Sequence, residues 1–484
     1  MSLSLKRLAG DTIIYGASTM VGRLLNWLLM PFYIRILTTQ EYGVIVNLYG
    51  IISILLVIFT YGLETGFFRF ARKENVSDVF KTSVVMLSIT SFLLIIFNTF
   101  FSNLLSCFFY DGKYRLSIIL VGIIIGFDAF LSIPFARLRL QNKSLRFGII
   151  KLVSILLNIG FNLFFFIVLP HIFKYVSYNG VIKSIYNNAD GVVLVLLSNA
   201  LSSVFIFFFF IKDLLSMKGI FNKTLLRPIL NYSWPVLIVG ITGMITLNID
   251  KILMPSLIQK DGFKELAIYG ANFKIGVLMS LFTQSFRFAF EPYFFNNRDK
   301  GVNSYAQIMS YFVFFGFIIF LGITIFQDLI NVLLIQDYFR GNIIIPLILL
   351  AQLCYGIYFN LSLWYKLTDN TIYGAIFGCV GMVITVVLNL FLVPIYGMIG
   401  AAFALFFGYC TMMVISYLIG QKHYPIPYSL KIIGSFSFVA FIIFSINYLY
   451  VPDQIFFKYL FKIALFISFP LIFYFKKDSL FKFN

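Results

Sequence analysis

Apolar runs of about 20 residues recur along the whole of this 484-residue chain. About 20 is the length a helix needs to cross a hydrocarbon core roughly 30 Å thick. Stretches such as Ile51–Thr60 and Ile432–Tyr450 are apolar on every side. A transmembrane β-barrel would instead show segments of about 10 residues that alternate apolar and polar. Charged residues make up 12% of the chain, against about 25% in a soluble domain. Lipid must therefore be the main solvent. The fold class is all-α: a polytopic membrane protein of about fourteen transmembrane helices.

The runs predict spans near 12–36, 42–68, 83–106, 117–136, 147–169, 190–211, 228–255, 267–290, 304–326, 342–364, 372–393, 398–420, 431–450 and 456–475. Met1–Gly10 carries Lys6 and Arg7, and the following segment is long and holds Arg23. It reads as a first spanning helix, not a cleavable leader.

The formal charge of +18 raises the question of a nucleic-acid partner, and the loops answer it. With a cytoplasmic N-terminus, about 23 Lys and Arg fall in inner loops and about 8 in outer ones. That bias follows the positive-inside rule and puts both termini in the cytoplasm. Most of the charge sets topology, and no nucleic acid is needed. Cys107, Cys354, Cys379 and Cys410 form no CxxC and no cluster with His171 or His423, so no metal and no cofactor is expected. The longest outer loop, 170–189, is about 20 residues. No loop is long enough to carry a catalytic domain, which argues against an enzyme.

The second half repeats the first. At a shift of 227 residues, Tyr42-Gly43 meets Tyr269-Gly270, Asn47 meets Lys274, Glu64 meets Glu291, and Asn162-Leu163-Phe164 meets Asn389-Leu390-Phe391. At a shift of 224, Leu29-Met30-Pro31 meets Leu253-Met254-Pro255, and Asn26 meets Asp250. Six helices per repeat is an even number, so the repeats are parallel, as in transporters that rock about a central site. The expected organisation is a six-helix lobe at 1–226, a second at 227–422, and two additional helices with a tail at 423–484.

Several ionisable residues sit in spans and not in loops, among them the eight Arg23, Glu64, Asp128, Lys151, Asp250, Lys251, Lys274 and Lys462. Each costs about 2.5–3.5 kcal/mol at a helix centre in lipid, and eight sum to about 20 kcal/mol or more. They must line a wet cavity or pair with one another. Lys151 and the arginines Arg35, Arg69 and Arg287 lie near helix ends, where side chains can snorkel. Most of the charges head the two repeats. They predict a cationic cavity between the halves, lined by Arg23, Lys251 and Lys274, with Arg69 and Arg287 at its mouth. Glu64, Asp128, Asp250 and Glu291 are the candidates for counter-charge or for coupling to H⁺ or Na⁺. Such a cavity suits an anionic ligand, and arginine suits phosphate. The prolines at 31, 134, 235, 255, 346 and 394 are expected to kink or end helices.

The segment Gly22-Arg23-Leu24-Leu25-Asn26-Trp27-Leu28-Leu29-Met30-Pro31-Phe32-Tyr33-Ile34-Arg35, followed by Glu41-Tyr42-Gly43-Val44, resembles the opening of the polysaccharide (O-antigen type) flippases. These belong to the multidrug/oligosaccharidyl-lipid/polysaccharide exporter superfamily. Tyr61-Gly62-Leu63-Glu64-Thr65-Gly66-Phe67-Phe68-Arg69, Ser233-Trp234-Pro235, Asn389 to Gly397 and Gly400-Ala401-Ala402 extend the likeness over nearly the whole chain. The resemblance implies two six-helix lobes, alternating access and a polyprenyl-pyrophosphate-linked oligosaccharide as cargo. It also implies a first-helix arginine that matters, here Arg23. Membrane lipids, a polysaccharide polymerase and glycosyltransferases are the implied partners. In the related lipid II flippases the last two helices form a groove for the lipid tail, and Lys458 and Lys462 would mark one face of a similar groove. The competing readings are a drug/cation antiporter or lipid II flippase of the same superfamily, and a membrane-embedded glycan polymerase or ligase.

Overall fold

A computed structural model describes residues 3–175, 186, 189–216, 218–296, 302–368 and 370–474. These residues are helical almost throughout, with no strand among them. The first helix, α1, runs Leu3–Ile36. Among the described residues, 13 helices long and apolar enough to cross a membrane follow it. These are α2 (Thr39–Phe70), α3 (Val76–Tyr110), α4 (Arg115–Leu140), α5 (Ser144–Lys174), α6 (Gly191–Leu215), α7 (Lys223–Leu257) and α8 (Gly262–Arg287). The remainder are α9 (Asn303–Ile325), α10 (Gln336–Leu367), α11 (Ile372–Tyr396), α12 (Met398–His423), α13 (Leu430–Leu449) and α14 (Ile455–Phe473).

Local chemistry explains where these helices start and break. The Thr38 hydroxyl accepts the Glu41 backbone N–H at 3.2 Å, and the Glu41 carboxylate accepts the Thr38 N–H at 2.9 Å. This reciprocal cap satisfies donors that an open helix end would strand. The other Glu41 oxygen accepts the Gly191 N–H at 3.0 Å, so one side chain fixes the starts of both α2 and α6. Further along, α2 is interrupted at Tyr61 and Gly62, both left-handed, with φ of 53° and 63°. A side chain at Gly62 would meet the Ser233 carbonyl at 2.8 Å, so glycine serves both the backbone angle and the close approach of α7. The helix then restarts as Leu63–Phe70.

The expected prolines behave in two ways. Pro31, Pro134, Pro235, Pro255 and Pro394 lie inside helices. Pro346 sits in the first turn of Ile345–Leu361, where its missing N–H costs nothing.

The chain divides into two compact units, Met1–Ala267 and Ile268–Asn484. In the first, α1 packs on α5, α3 on α4, and α6 on both α4 and α5. The second part of α2 joins α3, α4 and α7 through Leu63, Phe67, Phe80, Ile133 and Ile229, all buried. In the second unit, α12 packs against α10 and α11. Rings of Phe314, Phe436, Phe469 and Phe473 tie α9 to α13 and α14, with centroids 4.6–6.1 Å apart.

Candidate functional site

Asp250 and Lys251 lie on α7 and are almost fully buried, at 1% and 7% exposure. The Lys251 ammonium donates to Asp250 Oδ1 at 3.2 Å and to the Leu247 carbonyl at 2.6 Å. Adjacent helical residues point about 100° apart, and the pair meets because the Asp250 carboxylate folds back to accept the Lys251 backbone N–H at 2.7 Å as well. Asn47 of α2 donates to the Lys251 carbonyl at 2.8 Å and accepts from the Tyr110 hydroxyl at 2.5 Å. The charges on α7 are thus built into a polar joint with α2 and α3. Asn47 is the repeat partner of Lys274, so the two copies of this position carry different chemistry.

A second polar group sits among α2, α4, α5 and α6. Glu64 pairs with Arg139. Asp128 accepts from the Ser203 hydroxyl at 2.8 Å. Lys151 lies 4.2 Å from the centre of the Phe135 ring and interacts electrostatically with Asp128, Glu64 and Arg139. Asn199 donates to the Tyr49 hydroxyl at 3.1 Å, and the Tyr33 hydroxyl donates to Asn162 at 3.0 Å. Sequence reasoning counted Arg139 as a topology signal only. Its role as the partner of Glu64 depends on the packing of α4 against the restarted end of α2, which no local pattern announces.

The remaining candidates are more open. Arg23 is exposed on α1, beside the exposed Leu24 and one turn from the exposed Leu28. Arg69 is exposed, with its guanidinium 4.0 Å over the Tyr232 ring. In the second unit, Lys274 is partly buried on α8, and the Arg287 guanidinium lies 4.4 Å over the Phe359 ring. Lys366 stacks on that same ring at 4.4 Å. Glu291 lies outside the residues whose side chains are described. Arg23, Arg69 and Lys251 stand in the first unit, Lys274 and Arg287 in the second.

Lys458 and Lys462, one turn apart on α14, converge on Asp328 at 2.9 and 2.7 Å. Asp328 follows α9, so the pairing clamps α14 to the unit that the Phe rings also bind. Sequence reasoning missed Asp328 because it lies outside the apolar runs, in the short helix Gln327–Ile330, 134 residues from Lys462. Burial pushes the Asp328 carboxyl up, but the hydrogen bonds and charges of Lys462 and Lys458 outweigh it and hold the group below its usual value. The resulting stabilisation is complete above the ordinary carboxylate value of about 3.9. It is lost as pH falls through the lower, folded value. The hydrogen-exchange protection of α14, taken relative to the intrinsic rate at each pH, should therefore fall below about pH 4, and Asp328→Asn should show the lower protection at neutral pH already. Equal protection of both proteins at every pH would rule out the clamp.

Among the described residues, no three of His, Cys, Asp and Glu stand close enough to hold a metal ion.

The sequence profile of the polysaccharide biosynthesis protein family matches residues 8–298. No curated protein matches the sequence. Among solved structures, the fold is similar to that of lipid II flippase MurJ in an inward closed conformation. The TM-score is 0.75 at 17% identity, over 96% of this chain and 99% of that one. An inward-facing multidrug resistance MATE family transporter of the MOP superfamily aligns with a TM-score of 0.58 at 15% identity, over 87% and 94% of the two chains. The MATE multidrug transporter DinF-BH aligns with a TM-score of 0.61 at 12% identity, over 87% and 96%. At these identities the likeness establishes a common fold, and with it the all-helical class read from the apolar runs.

Proposed function

Since this chain belongs to the polysaccharide biosynthesis protein family, we propose that it flips a polyprenyl-pyrophosphate-linked oligosaccharide from the cytoplasmic to the outer leaflet of the cytoplasmic membrane. The observation that carries the reading beyond the family is a set of arginines on membrane helices that present their guanidinium groups outward. Arg23 is exposed on α1, and Arg69 and Arg287 are propped on aromatic rings. A charged side chain on a membrane helix is kept where it faces water, a ligand or the membrane edge, and the planar fork of arginine matches a phosphate.

A sugar chain on a pyrophosphate cannot cross hydrocarbon alone, because its polar groups would lose water without replacement. In the proposed cycle the head group is carried past the exposed arginines Arg23 and Arg69 while the polyprenyl tail stays in lipid. Alternating access exposes these residues first to one side and then to the other. An inside-negative potential favours outward movement of the anionic head by about 2.3 kcal/mol per charge per 100 mV. Glu64, Asp128, Asp250 and Glu291 are the groups available for coupling to H⁺ or Na⁺. The protein acts as a transporter and not as an enzyme, and it works with glycosyltransferases on the inner face and a polymerase on the outer.

Proteoliposomes containing the purified chain and a fluorescent polyprenyl-diphosphate oligosaccharide test this directly. The fluorophore should become accessible to an impermeant quencher well above the rate of protein-free vesicles. A strain lacking the gene should accumulate lipid-linked glycan. Unchanged quenching together with normal surface glycan in that strain would reject the reading.

A further inference from the structure

The loop joining α6 to α7 is docked on the start of α3, and the docking builds a small basic pocket. The Ile220 N–H donates to Asp78 at 2.7 Å and the Asn222 N–H to the Thr82 hydroxyl at 3.1 Å. Gly219 lies so close that a side chain there would come within 2.1 Å of the Ser77 carbonyl. This sets Ser216 and Lys218 over Ser77, Phe80 and Arg137, and the five residues line a half-open pocket of about 130 Å³. That is close to the roughly 150 Å³ of an engineered cavity that holds one benzene. It is room for a single phosphate group and far too little for an oligosaccharide.

Arg137 is the telling residue. Its guanidinium lies 4.3 Å over the Phe80 ring. Its Nε and Nη1 are shielded from solvent and make no hydrogen bond among the described residues. Burying charged donors without acceptors is costly, and an anion in the adjoining pocket would balance the charge of the guanidinium. Of the nearby acids, Asp213 pairs with Arg146 at 2.5 Å, while Asp78 keeps its charge and accepts the loop N–H of Ile220. Lys218 adds a second cation, and the 35-residue α3 adds the positive end of its dipole.

We propose that this pocket binds a phosphate group, supplied by a phospholipid headgroup of the adjacent leaflet or by soluble phosphate, and so secures the loop that leads into α7. The site is separate from the arginines assigned to the cargo, and the proposal holds whatever the cargo is.

Thermal unfolding of the delipidated full-length protein provides the test, with three probes: inorganic phosphate, dioctanoyl phosphatidylglycerol and, lacking phosphate, dioctanoylglycerol. A saturable rise in Tm is expected with a phosphate probe and none with dioctanoylglycerol. A response to inorganic phosphate identifies the group itself as sufficient; a response to phosphatidylglycerol alone identifies a lipid headgroup. Arg137→Gln should abolish the rise. Lys218→Gln, on the exposed loop where folding is not at risk, should weaken apparent binding about tenfold. No saturable rise with either phosphate probe, or wild-type affinity in Lys218→Gln, would overturn the assignment.

Discussion

Asp250→Ala is expected to destabilise the protein by about 3–5 kcal/mol, the loss found when one member of a buried ion pair is removed. Lys251 is 7% exposed and salt-bridged to Asp250, so the variant takes a carboxylate from a cation that water barely reaches. The damage should spread to α2, because the backbone of Lys251 is what Asn47 holds. The double variant Asp250→Ala/Lys251→Met should recover most of the loss, since apolar replacement of a whole buried pair is often neutral or stabilising. Thermal unfolding of the purified proteins measures both. A single variant as stable as the parent would show that the pair contributes nothing to the α2–α7 joint.

Arg23→Ala should lower glycan export about 100-fold, the upper range for loss of a hydrogen-bonded charge, while leaving the amount of protein in the membrane unchanged. Arg23 is exposed, as are its neighbours Leu24 and Leu28, so its truncation opens no cavity in the packed interior. An effect on export with intact folding therefore reports on cargo. Arg23→Lys should be intermediate, because lysine keeps the charge and loses the planar fork. Surface glycan can be compared against membrane protein level in each strain. Normal glycan in Arg23→Ala would remove this residue from the mechanism.

The helices themselves were legible in the sequence, because an apolar run of about 20 residues has few other homes. Their ends were not. The first helix starts at Leu3, not near 12, and α3 spans Val76–Tyr110, not 83–106. The added turns are polar and follow caps such as Asn75, so hydropathy alone underestimates them. The break at Tyr61-Gly62 was also invisible, since a lone glycine is tolerated in many helices. For the charges, the cost of burying Glu64 or Lys462 could be read from position. The remedy could not, because Arg139 and Asp328 lie 75 and 134 residues away and become partners only through packing. The pocket at Arg137 had no signal at all beyond a loop lysine and an arginine at a helix end.

The clamp of Lys458 and Lys462 on Asp328 also bears on how the protein is made. Helix α14 emerges from the ribosome carrying Lys462, a burden of up to about 2.5–3.5 kcal/mol on insertion scales, with Lys458 one turn nearer its start. The acid that neutralises them was synthesised 130 residues before Lys458. An earlier hairpin already standing in place would therefore ease the entry of α14 into the bilayer. A misassembled chain would leave its tail outside the lipid, where quality-control proteases can find it.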